Sequence, residues 1–565
     1  MAGNRRSAPI ETQIFVSGFV VVLAAILFLF LAGDRASAVI DDIFKFSTNQ
    51  LGAVYIWFTL FCFGVELYLA FGKYGKVRFG GPDARPEFTR LSWVAMFFCA
   101  GIGTALMAWA SKEWAYHYVA PPFDVEPMSV EASRWAATYG LFHWGPLGWV
   151  LYSICAFPIG YAFYNRKKST LRLSTSCSAI LGEGRMNGPL GKAIDTLFIF
   201  GLVGGTGTTL VSATPMLSEA VCELFGLTHT FTVDVIIVLI WTAIFTVTVG
   251  LGLKKGIKML SDVNLFAILV LCGLVFLVGP TWFMLNTLTD SIGLMVNNFI
   301  RMCFYTSPHF TADAFQQFQA GATSSYTNKF PQTWTVFYWA WYIAYAPYMG
   351  IFMARISRGR TFRDVVITAQ TFGTLGCAMF FGIFGNNAMY QYLTGRFDFL
   401  AVTASQGESA AIVGALMHLT EIGPLAILIL VIFIFVGFIY SATTVNSSAY
   451  AIATVASKDM AEGTDVEPNL FNRVIWAVFL GGIALALMYQ DEVVKQSATA
   501  PGGVEAAVES TGVATTSVLT ALKVSSLGVA IPLMVCVLIS ILSFLKWIKE
   551  DKPHLEKGSL PEESG

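Results

Sequence analysis

Apolar runs of roughly 20 residues recur along the chain, separated by shorter polar stretches. They lie at about 14–32, 51–72, 92–112, 138–164, 193–224, 232–252, 258–285, 332–356, 363–387, 422–455, 471–489 and 526–547. A run of this length crosses a bilayer only as a helix, because the hydrocarbon holds no water to satisfy backbone N–H and C=O groups. The expected fold is therefore an all-α polytopic membrane protein with 12 transmembrane helices. Composition agrees: 55 % of the 565 residues are hydrophobic, 13 % are charged and mean hydropathy is +0.63, outside the range of an ordinary soluble domain. Arg5 and Arg6 precede the first run, which is longer than a signal-peptide core, although Ala36-Ser37-Ala38 after it resembles a cleavage site.

Loop charge sets the orientation. One set of loops holds Lys73, Lys76, Arg78, Arg85 and Arg90, then Arg166 to Arg172, Lys254 to Lys258, Arg355 to Arg360 and Lys546 to Lys552. The alternate loops, such as 113–137 and 386–421, are poor in Lys and Arg. Positive loops stay in the cytoplasm, so both termini are expected there. The chain divides into a cytoplasmic tail (1–13), a membrane-spanning body (14–548) and a second cytoplasmic tail (549–565). The external stretch 286–331 contains an apolar part, 291–305, that reads as an interfacial helix.

The eighth run carries the most specific pattern. Trp334, Tyr338, Trp341, Tyr345 and Tyr348 stand at steps of 4, 3, 4 and 3, one aromatic stripe on a helix, with Trp339 and Tyr342 on its flank. Lipid-facing helices keep Trp and Tyr in belts at their two ends; here they run through the middle. Pro347 and Gly350 weaken this run by removing an N–H and a side chain, and Gly101 and Gly103 weaken the third in the same way. The two lie five runs apart. Paired interruptions in corresponding positions point to inverted repeats, spans 3–7 and 8–12, with a site at mid-membrane and two extra helices ahead of them.

The fourth run adds a second aromatic group. At about 100° per residue, Trp144, Trp149 and Tyr152 share a sector of roughly 140°, and Trp114 and Tyr116 follow the third run. Two helices can thus turn Trp and Tyr faces to one cavity. Such a cage suits a quaternary onium group, which donates no ordinary hydrogen bond and is held on ring faces. His143, in an apolar helix, reads as a packed, hydrogen-bonded histidine.

These segments resemble the betaine/choline/carnitine transporter family: AGIG (100–103), KEWAYHY (112–118), LFHWGPLGW (141–149), GLKKGIKMLSD (252–262), FPQTWTVFYWAW (330–341) and ARISRGRT (354–361). The resemblance covers about 15–545. Its carnitine/γ-butyrobetaine exchanger branch shares AGIG, EWAY and LFHWGPLGW. The resemblance implies a LeuT-type 5+5 inverted repeat behind two extra helices, a homotrimer in a bacterial inner membrane, and alternating access. It implies an aromatic box at Trp144, Trp149, Tyr152 and Tyr342, with Trp341, Tyr345 and Tyr116 as further substrate contacts. The cargo would be a quaternary ammonium or tertiary sulfonium zwitterion: carnitine, γ-butyrobetaine, glycine betaine or dimethylsulfoniopropionate. Most relatives carry Trp where this chain has Tyr342, which gives a weaker cation–π face and adds a hydroxyl. The short segment 546–565 lacks the long basic extension of osmosensing relatives.

Coupling has two readings. In the exchanger branch an arginine in the seventh span replaces one sodium and a methionine in the eighth fills the other sodium position. Here the arginine position reads Asn264, while Met349 keeps the methionine. An oxygen-bearing cavity without its fixed cation suits a mobile hard one, so one sodium is expected at Thr206 and Thr209, with Met349 excluding a second. The other reading is sodium-independent exchange. No further cofactor is expected. Nine scattered cysteines form no CxxC, and no HExxH, Walker loop or GxSxG occurs, so enzymatic chemistry has no foothold. A channel would need rings of charge or carbonyls that the centres of spans 3, 4, 8 and 10 lack. Net charge −1 gives no footing for nucleic acid.

Overall fold

The computed structural model describes residues 7–32, 39, 42–101, 103–250, 253–308, 330–458, 460, 466–498 and 528–556. Helices dominate. The first two spans are α1 (Thr12–Ala32) and α2 (Gly52–Phe71). The third is broken into α3 (Arg90–Gly101) and α4 (Gly103–Val119), which meet at 63°. The fourth is α5 (Val130–His143) followed by α6 (Pro146–Ser153), and it continues in wider turns to Asn165. Then come α7 (Pro189–Phe225), α8 (Phe231–Gly250) and α9 (Lys258–Val278). Outside the spans lies α10 (Thr281–Cys303), and the eighth span is α11 (Phe337–Ile356). The rest are α12 (Phe362–Leu393), the short pair α13 (Phe399–Gln406) and α14 (Glu408–Met417), α15 (Gly423–Val455), α16 (Leu470–Ala498) and α17 (Gly528–Glu550).

Among the described residues nine helices are long and apolar enough to cross a membrane, or ten if the bent α3–α4 pair is one span. The chain is thus an all-α polytopic membrane protein. The remaining two expected spans are helical: α1 is apolar over Thr12–Phe28, and α11 has 20 residues dominated by rings. Peripheral helices present their apolar side chains outward. Phe266 and Leu277 of α9 are 70 % and 75 % exposed, as befits groups facing lipid and not water.

At the centre α11 is buried on every side from Phe337 to Ala354. It packs against α6, α7 and α17, and α7 packs against α15. A helix apolar all round belongs in the interior. Here the sequence expectation needs correction: α11 runs unbroken through Pro347 and Gly350. Proline removes one N–H, and close neighbours absorb the loss. Gly350 is needed for contact: a Cβ there would lie 2.4 Å from Cys155 Cβ. Of the two expected interruptions only that of the third span is present, where Gly103 has φ +49 and a Cβ would meet Thr444 Oγ1 at 2.1 Å. A side chain would be strained there on both counts.

The basic exit of α11 is anchored. Arg355 and Arg358 face Glu87, and the Arg360 guanidinium lies 4.5 Å from the Trp93 ring centroid. Ser7–Ala8, in the expected N-terminal tail, pairs in parallel with Glu467–Pro468. The apolar stretch read as an interfacial helix begins earlier than expected, at Thr281. It is tied to α5 by Arg134, which donates to both oxygens of Asp290 at 2.8 and 3.0 Å.

The turn between α7 and α8 carries a histidine between two carboxylates. His229 lies 3.1 Å from Glu219 and 2.9 Å from Asp234. Burial alone would lower its pKa, but the hydrogen bonds and charges of the two acids outweigh it and raise it to about 9. A raised folded pKa adds stability that is full below the unfolded value of about 6.5 and is lost as pH climbs through about 9. His229→Gln should therefore lower the melting temperature in detergent at about pH 6, and the deficit should shrink above about pH 9. Thermal melts across that range check it; an equal deficit at both ends would contradict the assignment.

Candidate substrate site

The aromatic stripe of α11 forms a ladder. Its ring centroids are 6.4 Å apart from Trp334 to Tyr338, 5.9 Å from Tyr338 to Trp341, 6.4 Å from Trp341 to Tyr345 and 5.8 Å from Tyr345 to Tyr348. Steps of 3 and 4 place consecutive rings one turn apart on one face, so each meets the next. Tyr342, on the flank, faces the fourth span.

That span presents its rings because it breaks where they lie. Trp144 ends α5, Gly145 starts the next segment and Pro146 opens α6, a position where its missing N–H costs nothing. The indole of Trp144 is thereby released from the helical path toward α11. Its ring lies edge-on to Tyr338 at 5.7 Å, Trp341 at 5.9 Å and Tyr342 at 6.1 Å. Tyr342 meets Tyr152 at 4.9 Å and 69°, and Tyr152 meets Trp149 at 5.8 Å and 84°. Trp144, Tyr342, Tyr152 and Trp149 thus form a continuous chain of near-perpendicular rings, drawn from two helices and each no more than 5 % exposed. Two donors in this group have no partner among the described residues: the Tyr342 hydroxyl and Trp341 Nε1 are buried and unbonded. Buried donors are normally paired, so these two are available to an acceptor that enters the site.

Behind the rings stands a carboxylate that the sequence reading left aside. Glu113 of α4 is fully buried. Its Oε2 accepts from Tyr338 O–H at 2.6 Å and from Trp144 Nε1 at 2.9 Å. Its Oε1 lies 3.1 Å from His117 Nε2 and 3.4 Å from His143 Nδ1, and His143 Nε2 is 3.0 Å from the Thr335 hydroxyl. His143 is therefore packed and hydrogen-bonded, as its setting suggested, but to an acid within the membrane. Glu113 and His117 are an i,i+4 pair in KEWAYHY, within α4 of the third span. The signal that could have found them is an ionisable pair abutting an apolar run, since such residues inside membranes mark function by default.

The other expected residues divide into groups. Tyr345 joins the box through Tyr152 at 6.3 Å. Thr209 lies 3.2 Å from the Tyr345 hydroxyl and donates to Gly205 O, while Thr206 donates to Ser448 at 3.0 Å. Met349 is buried in α11. Asn264 is buried against Cys99 beside the α3–α4 break, and its Oδ1 has no partner; Thr444 Oγ1, facing Gly103, has none either. Tyr116 stands apart from the box. It packs on Trp334 at 5.2 Å and donates to Glu408 of α14, which also pairs with Lys112.

The family model described as betaine/carnitine/choline family transporter matches residues 13–553, nearly the whole chain. A chain of buried rings between the fourth and eighth spans of an all-helical membrane protein accords with that match. The chain belongs to the betaine/carnitine/choline transporter family, secondary transporters of quaternary ammonium substrates and not enzymes.

Proposed function

We propose that this protein carries an onium zwitterion by alternating access, with the cationic head held on the faces of Trp144, Trp149, Tyr152 and Tyr342. Carnitine, γ-butyrobetaine, glycine betaine and dimethylsulfoniopropionate all have the required form: a permanent cation at one end and a carboxylate at the other. The observation that carries this reading is the ring chain together with its two unpartnered donors. Rings attract the cation without hydrogen bonds, while the Tyr342 hydroxyl and Trp341 Nε1 can donate to the carboxylate. Tyr342 thus offers the substrate both a ring face and an O–H donor. Tyr345 extends the same wall, and Tyr116 is proposed as a further contact made in another conformation. The frame we propose for this site is the 12-span LeuT-type repeat, assembled as a homotrimer in a bacterial inner membrane with both termini cytoplasmic.

Each ring face contributes about 0.5–2 kcal/mol to the cation. Trp144→Leu should weaken binding about tenfold or more while the protein stays folded and monodisperse. Titration of intrinsic fluorescence with glycine betaine reads this directly, and an unchanged dissociation constant would remove Trp144 from the box. Selectivity follows from the absence of a dedicated acceptor for the head group. A primary ammonium would bury N–H donors without partners, at a cost of about 1–3 kcal/mol each. Glycine and γ-aminobutyrate should therefore compete at least about tenfold worse than their trimethylated forms. Equal competition would rule out a box made of rings alone.

Sodium is proposed as the co-substrate, one ion per cycle. Thr206 and Thr209 fit it in donor type: their hydroxyls keep lone pairs after donating to Ser448 and Gly205. Asn264 in place of a fixed cation, and Met349 as a poor ligand for a hard ion, support a single site. Initial uptake into proteoliposomes should fall when sodium is replaced by potassium. An unchanged rate, with uptake driven only by preloaded substrate, would mean sodium-independent exchange.

A further inference from the structure

The cluster of Glu113, His117 and His143 has more protonation chemistry than packing requires. We propose that these three residues form a proton site, and that a proton and the substrate's cation compete for it across the Trp144 ring; the proposal rests on the box described above.

The charge count comes first. Glu113 accepts four hydrogen bonds, from Tyr338 and Trp144 on Oε2 and from His117 and His143 on Oε1. A carboxylate has about four lone-pair sites, and here all are used. Each imidazole supplies one N–H to the acid and remains neutral, while His143 Nε2 is free to accept from the Thr335 hydroxyl. The cluster as drawn carries one negative charge.

Among the described residues that face the cluster, none carries a positive charge that cancels it. From the fourth span His143 and Tyr139 face His117, the latter at 6.0 Å between ring centroids. From the eighth span come Tyr338 and the neutral Trp334 and Thr335. The nearest cation in sequence, Lys112, turns to Glu408, as does Tyr116. Arg301 lies beyond Tyr139, over the Phe123 ring at 4.0 Å. An uncompensated charge in low dielectric attracts a cation or a proton.

Both have a place. Among the described residues His117 Nδ1 is buried and without a partner, the one of the cluster's four ring nitrogens that makes no hydrogen bond. A proton added there makes an imidazolium against the carboxylate, and the cluster becomes neutral. The onium head, in turn, would lie on the face of Trp144, whose Nε1 donates to the same carboxylate. An acceptor at Nε1 enriches the indole face and strengthens its hold on a cation; the Tyr338 hydroxyl acts likewise for the ring beside Tyr342. Protonation removes that assistance. Binding of the cation therefore expels one proton to the solvent, and the site exchanges one positive charge for another. By linkage the effect is reciprocal.

The test uses the full-length protein in detergent with glycine betaine as probe, because its charge is fixed across the range. Affinity is read by fluorescence from about pH 5 to about pH 9, and proton release by calorimetry in two buffers of different ionisation enthalpy. The expected result is a dissociation constant that rises as pH falls, approaching about tenfold per unit on the acid side, with up to one proton released per substrate. Glu113→Gln should abolish the slope, and His117→Gln, a milder change, should flatten it. A merely positioning role for these residues would shift affinity equally at every pH and leave the slope intact, which would overturn the proposal. So would a flat profile without proton release in the unaltered protein. Failure of glycine betaine to bind at any pH would overturn the box as well, whereas binding with a flat profile overturns the proton site alone.

Discussion

The site depends on one buried carboxylate. Glu113 draws hydrogen bonds from α4 itself, from the broken fourth span and from the eighth span, and so ties together three elements distant in sequence. Burying an ion of this kind is unfavourable unless donors surround it. Every donor that solves this problem also fixes a ring: Trp144 through Nε1, Tyr338 through its hydroxyl, and His143 between Glu113 and Thr335. The orientation of Trp144, the box ring that touches the acid, is thus tied to satisfying it. Each donor holds one atom of its side chain in place, which a packed ring without a polar handle would not guarantee.

The break in the third span belongs to the same design. Gly103 in the left-handed region turns α4 away from α3 by 63°, and this turn brings Glu113 and His117 inward against the fourth and eighth spans. On the outer flank, Lys112 and Tyr116 reach Glu408 of α14 and close the helical pair α13–α14 over the same helix. The box rings are almost wholly enclosed in this arrangement. A substrate must therefore reach them through another conformation, which accords with transport by alternating access.

Much of this was legible in the sequence where local periodicity decides the outcome. The 4-3-4-3 spacing of Trp334 to Tyr348 led directly to the ring ladder, because helical geometry alone brings residues 3 and 4 apart into contact. Trp144, Trp149, Tyr152 and Tyr342 came together because the fourth and eighth spans pack face to face. Where tertiary context decides, the reading failed. Pro347 and Gly350 looked like a break and are not one, since packing against Cys155 and its neighbours holds α11 straight. No spacing rule shows the hydrogen bond of Tyr116 to Glu408, a partner 292 positions away. Only His117 stands at a helical spacing from Glu113; its other donors, His143, Trp144 and Tyr338, lie on the fourth and eighth spans, which no spacing rule connects to α4.

The account stands on the claim that ring faces hold the substrate's cation. The most direct measurement replaces Trp144 with a series of increasingly fluorinated tryptophans, which weaken the ring's negative face while leaving its shape and Nε1–H nearly unchanged. The account predicts that the logarithm of the dissociation constant for glycine betaine rises in step with each fluorine. A dissociation constant that stays constant across the series would contradict it.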